Sequence, residues 1–121
     1  MNLQLIGSGF RRALEGTAGA PLLHTPEDVV DVIGNCFEYE ARGVLLYAEN
    51  LTERFFDLSS GEAGDILQKF RNYYIRLAVV VPQGGTAQSS KFRDMVAEEK
   101  QGRDFRIFED RDSAVAWLTG E

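Results

Sequence analysis

The sequence predicts a single α/β domain over residues 1–121, with a central, mostly parallel sheet of roughly four or five strands and about four helices. Residues 43–48 and 75–81 are almost wholly apolar, as is typical of strands covered on both faces. From residue 25 onward, such segments alternate with segments of helical apolar spacing. This alternation indicates parallel strands joined by helical crossovers.

The first 24 residues carry the weakest pattern. Residues 3–6 alternate only weakly between apolar and polar side chains. We predict that residues 10–14 and 21–24 form two short antiparallel strands, joined by a turn over residues 15–20.

The first helix is marked by Thr25, a capping residue, and by Pro26, which suits the first helical position. Cys36 lies on the apolar side of this helix, so we interpret it as a buried, inert thiol. A second helix, residues 62–74, follows a predicted capping box in which Ser59 caps and Glu62 reaches back.

Gly64 lies inside the second helix, where glycine costs about 1 kcal/mol relative to alanine. We interpret this glycine as allowing close contact between helix and sheet. Ser89 or Ser90 is predicted to cap the third helix, and residues 104–108 alternate as a half-buried strand. For the last helix, two acidic residues are candidate caps: Asp110 and Asp112.

Composition excludes several kinds of function. A net charge of −6 and a pI of about 4.8 argue against nucleic acid or an anionic membrane as partner. The three basic residues within 100–106 are interrupted by an acid and do not offset this charge. No apolar run approaches the roughly 20 residues of a membrane span, and the single cysteine fits a reducing cytoplasm. No cofactor is predicted, and with His24 as the only histidine we expect no metal site.

The carboxyl edge of a parallel sheet is where α/β domains usually bind ligands. Four segments are predicted to converge there: residues 49–50, 57–61, 82–90 and 109–110. We therefore expect any binding or interaction site of this chain at that edge, with residues 49–61 at its centre.

Each candidate residue at this edge has a functional and a structural interpretation. Ser59 and Ser60 at a helix start could receive a phosphate, although a cap alone explains Ser59. Glu49 and Asp57 could act as paired carboxylates, but solvated strand-end acids are commoner.

The aromatic residues are equally ambiguous. Phe55 and Phe56 could form an exposed docking surface, although we expect at least one of them in the core. Trp117 is most simply a core residue of the last helix.

The middle of the chain resembles the bacterial family numbered 4180 among domains of unknown function. The resemblance rests on the Glu49-Asn50 pair, the FFDL segment at 55–58, the AG-x-x-LQKF-x-NY helix and a late turn from Glu98 to Gly102. It covers roughly residues 25–118 and implies no established activity.

A more distant resemblance is to STAS domains, the fold of anti-sigma-factor antagonists, which share the predicted element order. These domains carry a D-S-S-G motif whose first serine is phosphorylated by a partner kinase. Here Ser59, Ser60 and Gly61 match the S-S-G, so the resemblance implies that Ser59 is the phosphoacceptor. Leu58 is inserted between Asp57 and that serine, which departs from the motif.

Two functions from different classes follow. The first is a non-enzymatic, regulatory or protein-interaction module with a STAS-like fold, which would bind a protein partner through residues 49–61 and the predicted helix over residues 62–74. The alternative is a small-molecule-binding protein or enzyme with a cleft at the same edge. In that cleft the polar groups would be Glu49, Asn50, Asp57 and Ser59, and we would expect the pocket to be closed. A homodimer is a third hypothesis.

Overall fold

A computed structural model of the chain describes residues 2–120. These residues form one sheet of five strands and four α-helices, which confirms the predicted α/β class. The strands are β1 (Leu3–Ile6), β2 (Ala13–Gly16), β3 (Gly43–Tyr47), β4 (Arg76–Val80) and β5 (Phe105–Phe108). The helices are α1 (Pro26–Glu38), α2 (Glu62–Asn72), α3 (Ser90–Glu99) and α4 (Arg111–Thr119).

The strands lie in the sheet in chain order. β1 pairs antiparallel with β2, and every later neighbour is parallel. One face of the sheet packs with α1, α2 and α3 in a large core that includes Val32, Leu67 and Phe92. The opposite face packs with α4 through a smaller cluster around Ala78 and Leu118. The central strands are therefore covered on both sides, as their apolar sequences predict.

The predicted strands at residues 10–14 and 21–24 are wrong. An antiparallel pair does form, but it joins β1 to β2 with Leu3 opposite Gly16, and residues 21–24 form no strand. Part of the predicted turn, Glu15 and Gly16, belongs to β2. The reason is tertiary, because β2 also pairs in parallel with β3, and that contact is invisible in the local pattern.

Three of the four predicted helix starts are confirmed. Thr25 and Asp28 form a reciprocal capping box at α1. At α3 the Ser89 hydroxyl accepts a hydrogen bond from the Phe92 N–H at 3.1 Å. At α4 an Asp110 carboxylate oxygen accepts one from the Ser113 N–H at 2.8 Å. All three depend on residues within about one helical turn, which is why the sequence predicts them.

The interpretation of Gly64 as a close-packing residue is wrong. Gly64 is exposed on α2, and no atom outside its own helix turn lies within 4 Å of the position a Cβ would take. Cys36 is buried in the large core, and burial raises the pKa of its thiol to about 12, as expected for an inert thiol. No helix within residues 2–120 is long and apolar enough to cross a bilayer.

Candidate functional site at the carboxyl edge

The segment that follows β3 forms three short 3-10 turns: Ala48–Asn50, Glu53–Phe56 and Leu58–Ser60. Its side chains divide into two sets. The inward set is buried and consists of Ala48, Asn50, Leu51, Phe55 and Phe56. The outward set is exposed and includes Glu49, Glu53, Asp57, Ser59 and Ser60. The predicted site residues therefore lie at one edge of the sheet, but some are buried in the core and others are exposed to solvent.

Asn50 is a structural residue of this edge. Its side chain is fully buried and its amide nitrogen donates to the carbonyls of Thr17 and Ala20, at 2.8 and 2.7 Å. Its side-chain oxygen accepts the Tyr47 N–H at 2.7 Å, and its main-chain carbonyl accepts the Leu23 N–H at 2.8 Å. The amide is thus occupied in tying the loop after β2 to the end of β3, and it is not presented to a ligand.

Phe55 and Phe56 both lie in the core. They are 0% and 2% exposed and pack edge-to-face on each other with ring centroids 5.2 Å apart. Phe55 also contacts Phe92 of α3 and Phe105 of β5, at 5.7 and 6.2 Å. The alternative interpretation of these rings as an exposed docking surface is therefore excluded. The two rings instead anchor the exposed residues on either side of them, Glu53 and Asp57, to the core.

The predicted capping box at α2 is wrong. Gly61, with a φ of 81°, occupies the cap position of α2, and it offers no side chain. The Ser59 hydroxyl instead donates to an Asp57 carboxylate oxygen at 2.8 Å, and the same oxygen accepts the Ser59 N–H at 3.2 Å. Ser59 therefore belongs to the turn before the helix, because the left-handed glycine separates that turn from α2.

The first turn of α2 is held by its neighbours. The Ser60 hydroxyl accepts the Glu62 N–H at 3.2 Å and donates to the Arg54 carbonyl at 2.5 Å. The Glu62 carboxylate accepts a hydrogen bond from the Thr52 hydroxyl and pairs with the Arg54 guanidinium at 3.4 Å. Glu62 thus points back toward the turns after β3 rather than toward Ser59.

Ser89 joins this segment to α3. Besides capping α3, its hydroxyl accepts the Leu58 N–H at 3.2 Å, and its own N–H donates to the Phe56 carbonyl at 3.0 Å. The sequence predicts the cap alone, since the contact to Leu58 joins residues 31 positions apart. The outward residues between Phe56 and Ser60 are therefore fixed from two sides.

A groove of about 1000 Å³ runs between residues 48–57 and the loop 82–89. Three exposed acids line it: Glu49, Glu53 and Asp57. Within residues 2–120 its one basic lining residue is Arg54, whose guanidinium pairs with Glu62. The groove is acidic and lies open to solvent along the edge.

The fourth predicted segment, residues 109–110, does not join this groove, because Asp110 caps α4 on the other face of the sheet. Next to Asp110 lies a cluster of three side chains that the sequence does not predict. The Arg111 guanidinium donates to both carboxylate oxygens of Glu15, at 2.7 and 2.9 Å, and the Tyr47 hydroxyl donates to one of them. No local signal marks Glu15 and Arg111 as a pair, because they are 96 residues apart.

The contacts within this cluster shift the pKa values of Glu15 and Tyr47. The hydrogen bonds from Arg111 lower the pKa of Glu15, against the opposing effect of burial. Burial and the contact with Glu15 raise the pKa of Tyr47 to about 12. The carboxylate and the phenol therefore hold fixed charge states near neutral pH, which suits a structural link between β2, β3 and the start of α4.

Comparisons with known proteins give one result on the family. The family model described as a domain of unknown function (DUF4180) matches residues 10–118. This confirms the family resemblance found in the sequence, and the match extends into β2 and the residues before it, where the sequence resemblance is loose. Searches of curated proteins and of solved structures gave no match, so the likeness to STAS domains stays a prediction.

Proposed function

We propose that this chain, which belongs to the DUF4180 family of domains of unknown function, is a non-enzymatic interaction domain that binds a basic segment of a partner protein in the carboxyl-edge groove. The observation that carries the proposal is a rigid segment with an acidic outer surface. Its buried anchors, Asn50 and Phe55, fix the backbone, and its outward residues Glu49, Glu53 and Asp57 line the groove. A preorganised surface loses little entropy on binding.

Charge decides which partner fits. Three exposed carboxylates line the groove. Among residues 2–120, Arg54 is the one cation that lines it with them, and its guanidinium is paired with Glu62. Complementary potentials steer association and suppress wrong partners, so a segment rich in lysine or arginine is the favoured occupant. The alternative of a small-molecule site or enzyme needs Glu49, Asn50, Asp57 and Ser59 to converge on one ligand. Asn50 is instead buried in backbone hydrogen bonds, and neither Asn50 nor Ser59 lines the groove.

In this proposal, phosphorylation of Ser59 regulates partner binding. The Ser59 hydroxyl is exposed, and it contacts Asp57 rather than serving as the cap of α2. A phosphate on Ser59 would meet the Asp57 carboxylate at close range, and like charges there would open the turn Leu58–Ser60. Phosphorylation by a partner kinase would thus change the groove. The proposal includes a bacterial cytosolic location.

The test compares two charge-reversed variants in affinity capture. The groove variant, Glu49→Lys with Asp57→Lys, should lose a specific captured protein that the wild-type chain retains. A matched control, Asp31→Lys with Glu38→Lys on α1, makes the same charge change outside the groove and should retain it. The purified partner, titrated by calorimetry, should bind wild type and control alike.

Two outcomes would contradict the proposal. Identical sets of captured proteins for the groove and control variants would exclude the groove as the binding surface. A dimer in light scattering that the groove variant converts to monomers would favour the competing homodimer hypothesis. For Ser59, intact-mass analysis of chain purified from its native cells should reveal a phosphorylated fraction that Ser59→Ala abolishes.

A further inference from the structure

Arginine side chains mark the amino edge of the sheet, opposite the groove. Arg12 directly precedes β2, Arg42 directly precedes β3 and Arg76 is the first residue of β4. They are neighbours, since the Arg42 N–H donates to the Arg12 carbonyl at 3.0 Å and the Arg76 N–H to the Arg42 carbonyl at 2.9 Å. Parallel pairing thus brings three arginines from distant segments side by side.

Four more cations join them: Arg11 before β2, Lys100 and Arg103 before β5, and Arg106 within β5. Together these seven residues line an open cleft of about 580 Å³, which we call the arginine cleft. They are seven of the 13 lysines and arginines of the chain. No aspartate or glutamate of residues 2–120 lines the cleft.

The positive charge of the arginine cleft is only weakly compensated. Arg12 approaches Glu40 at 3.7 Å, but that carboxylate is largely exposed and contributes little. Arg76 and Arg106 donate to main-chain carbonyl oxygens at 2.9 and 2.7 Å, which are neutral. The carboxyl end of α4 also lies here, and a helix end offsets only about half of one elementary charge.

Two arginines of the cleft, Arg106 and Arg76, lie in unfavourable surroundings. The Arg106 Nε is buried and finds no hydrogen-bond partner within residues 2–120. Burial and repulsion from Arg11, Arg103 and Arg106 lower the pKa of Arg76, against a smaller opposing attraction from the Asp104 carboxylate. Concentrated like charges destabilise a fold unless something offsets them, and a bound anion would do so.

Trp117 packs against Phe108 and the smaller core cluster, in line with its interpretation as a core residue, but it is only partly buried. Its ring is half-buried in the wall of the cleft, with the Arg76 guanidinium 4.1 Å and the Arg106 guanidinium 5.4 Å from the ring centroid. Stacking on an aromatic ring restricts a guanidinium while its N–H groups remain free to donate. Trp117 therefore orients two cations of the arginine cleft.

Exposed aromatic rings lie at the rim. Phe10 and Tyr74 line the cleft and are 86% and 87% exposed. Tyr74 follows the end of α2 and has a φ of 57°, a left-handed conformation in which glycine is the more stable residue. Stability alone does not explain a solvent-exposed tyrosine there, whereas a flat ligand stacking on its ring would.

We propose that the arginine cleft binds a small organic anion that carries two or more phosphate groups and a flat ring, as nucleotides do. Guanidinium groups match phosphate oxygens bidentately, and the rim rings match the flat part of the ligand. The volume falls within the roughly 300–1,000 Å³ of small-molecule sites. A long polyanion fits less well, because outside the arginine cleft the chain carries a strongly negative net charge.

Calorimetric titrations with ADP, pyrophosphate and adenosine test the two halves of the site separately. We expect ADP to bind most tightly, pyrophosphate more weakly and adenosine weakest, with ADP affinity falling as salt rises. The variant Arg42→Gln with Arg103→Gln, at two exposed positions, should weaken ADP and pyrophosphate binding about tenfold or more. Its control, Lys91→Gln with Arg93→Gln on α3, removes the same charge outside the cleft and should bind as wild type does.

A second variant, Tyr74→Gly, tests the proposal even if the double arginine variant does not fold. Tyr74→Gly should fold at least as stably as wild type, keep its affinity for pyrophosphate and lose affinity for ADP. The groove variant Glu49→Lys with Asp57→Lys should still bind ADP, so that failure of this proposal is distinguishable from failure of the proposed function.

Three results would overturn the proposal. The first is no detectable binding of ADP or pyrophosphate by the wild-type chain. The second is equal loss of affinity in the cleft and control variants. The third is binding of a single-stranded oligonucleotide far more tightly than ADP, with affinity that grows with its length, which would indicate a nucleic-acid surface instead.

Discussion

Asn50 organises the carboxyl edge at the scale of a single residue. Its amide makes three hydrogen bonds to the backbones of Tyr47, Thr17 and Ala20, so that a buried side chain links the loop after β2 to the end of β3. Gly16 makes room for it, since a Cβ on that residue would lie 2.6 Å from the Asn50 side-chain oxygen. Two residues 34 positions apart thus depend on each other.

The substitution Asn50→Asp tests this role with almost no change in shape. The carboxylate still accepts the Tyr47 N–H, but it cannot donate to two carbonyls and its charge is buried. We expect a loss of about 3 kcal/mol in the free energy of unfolding. Hydrogen exchange at the Leu23 amide should also become faster. The exposed substitution Asn2→Asp is the control, and equal stability of the two variants would contradict the prediction.

Two glycines of the same region should respond oppositely to alanine. Gly64→Ala should raise the free energy of unfolding by up to about 1 kcal/mol, because the site is exposed, helical and unobstructed. Gly61→Ala should lower it by about 1 kcal/mol, because the φ of Gly61 is 81°. Urea unfolding measures both, and a change of the same sign in both variants would show that one of these backbone assignments is wrong.

At the scale of elements, Ser89 connects α3 to the turns after β3. Its hydroxyl accepts hydrogen bonds from the N–H groups of both Phe92 and Leu58. The four-ring cluster that includes Phe55 and Phe92 strengthens the same junction. The groove is therefore supported by an element that is distant in the sequence.

We expect Ser89→Ala to lower the free energy of unfolding by about 1–2 kcal/mol, since it removes a helix cap and a second hydrogen bond. The neighbouring substitution Ser90→Ala, in the first turn of α3, should have a smaller effect. Exchange at the Leu58 amide should accelerate in the first variant alone. If that amide exchanges at the wild-type rate, Ser89 does not hold the groove.

The sequence predicts elements better than it predicts their partners. The sequence predicts Thr25 as a cap and offers Ser89 and Asp110 each as one of two candidates, because the groups they bind are three residues away. The β1–β2 pair and the α2 start were mispredicted, since the first depends on pairing with β3 and the second on the left-handed backbone of Gly61.

At the scale of the whole molecule, charge is divided between the two edges of the sheet. The acidic groove lies at the carboxyl edge and the arginine cleft at the amino edge. Also at the carboxyl edge, on the face covered by α4, the Glu15–Arg111 pair ties the start of α4 to the sheet. A net charge of −6 hides this division, which is why composition suggested no anion-binding surface.

The Glu15–Arg111 pair predicts a dependence of stability on pH. Because the pKa of Glu15 is lower in the folded chain, its ionised form is stabilised, so the contribution is present above the unfolded-state pKa of about 4.5. It is lost as the pH falls through the folded-state pKa. Glu15→Gln should therefore lower the free energy of unfolding at pH 7 by about 1–2 kcal/mol, an estimate reduced because Arg111 is half-exposed.

Urea unfolding of wild type and Glu15→Gln at neutral and acidic pH checks this prediction. The difference between the two chains should shrink as the pH falls below about 4.5, because protonation then removes the pair from wild type as well. Glu98→Gln, at an exposed position on α3, controls for the general effect of acid. A difference that stays constant across this range would exclude the pair as its source.

The sequence by itself determined the α/β class, the family, the buried strands β3 and β4 and the starts of three helices. Each of these depends on the apolar period or on hydrogen bonds within about one helical turn. Only the tertiary structure decided that Asn50 is a structural amide, that Ser59 belongs to a turn with Asp57, and that arginines line the amino edge. These features depend on sheet register, which places residues tens of positions apart within hydrogen-bonding distance.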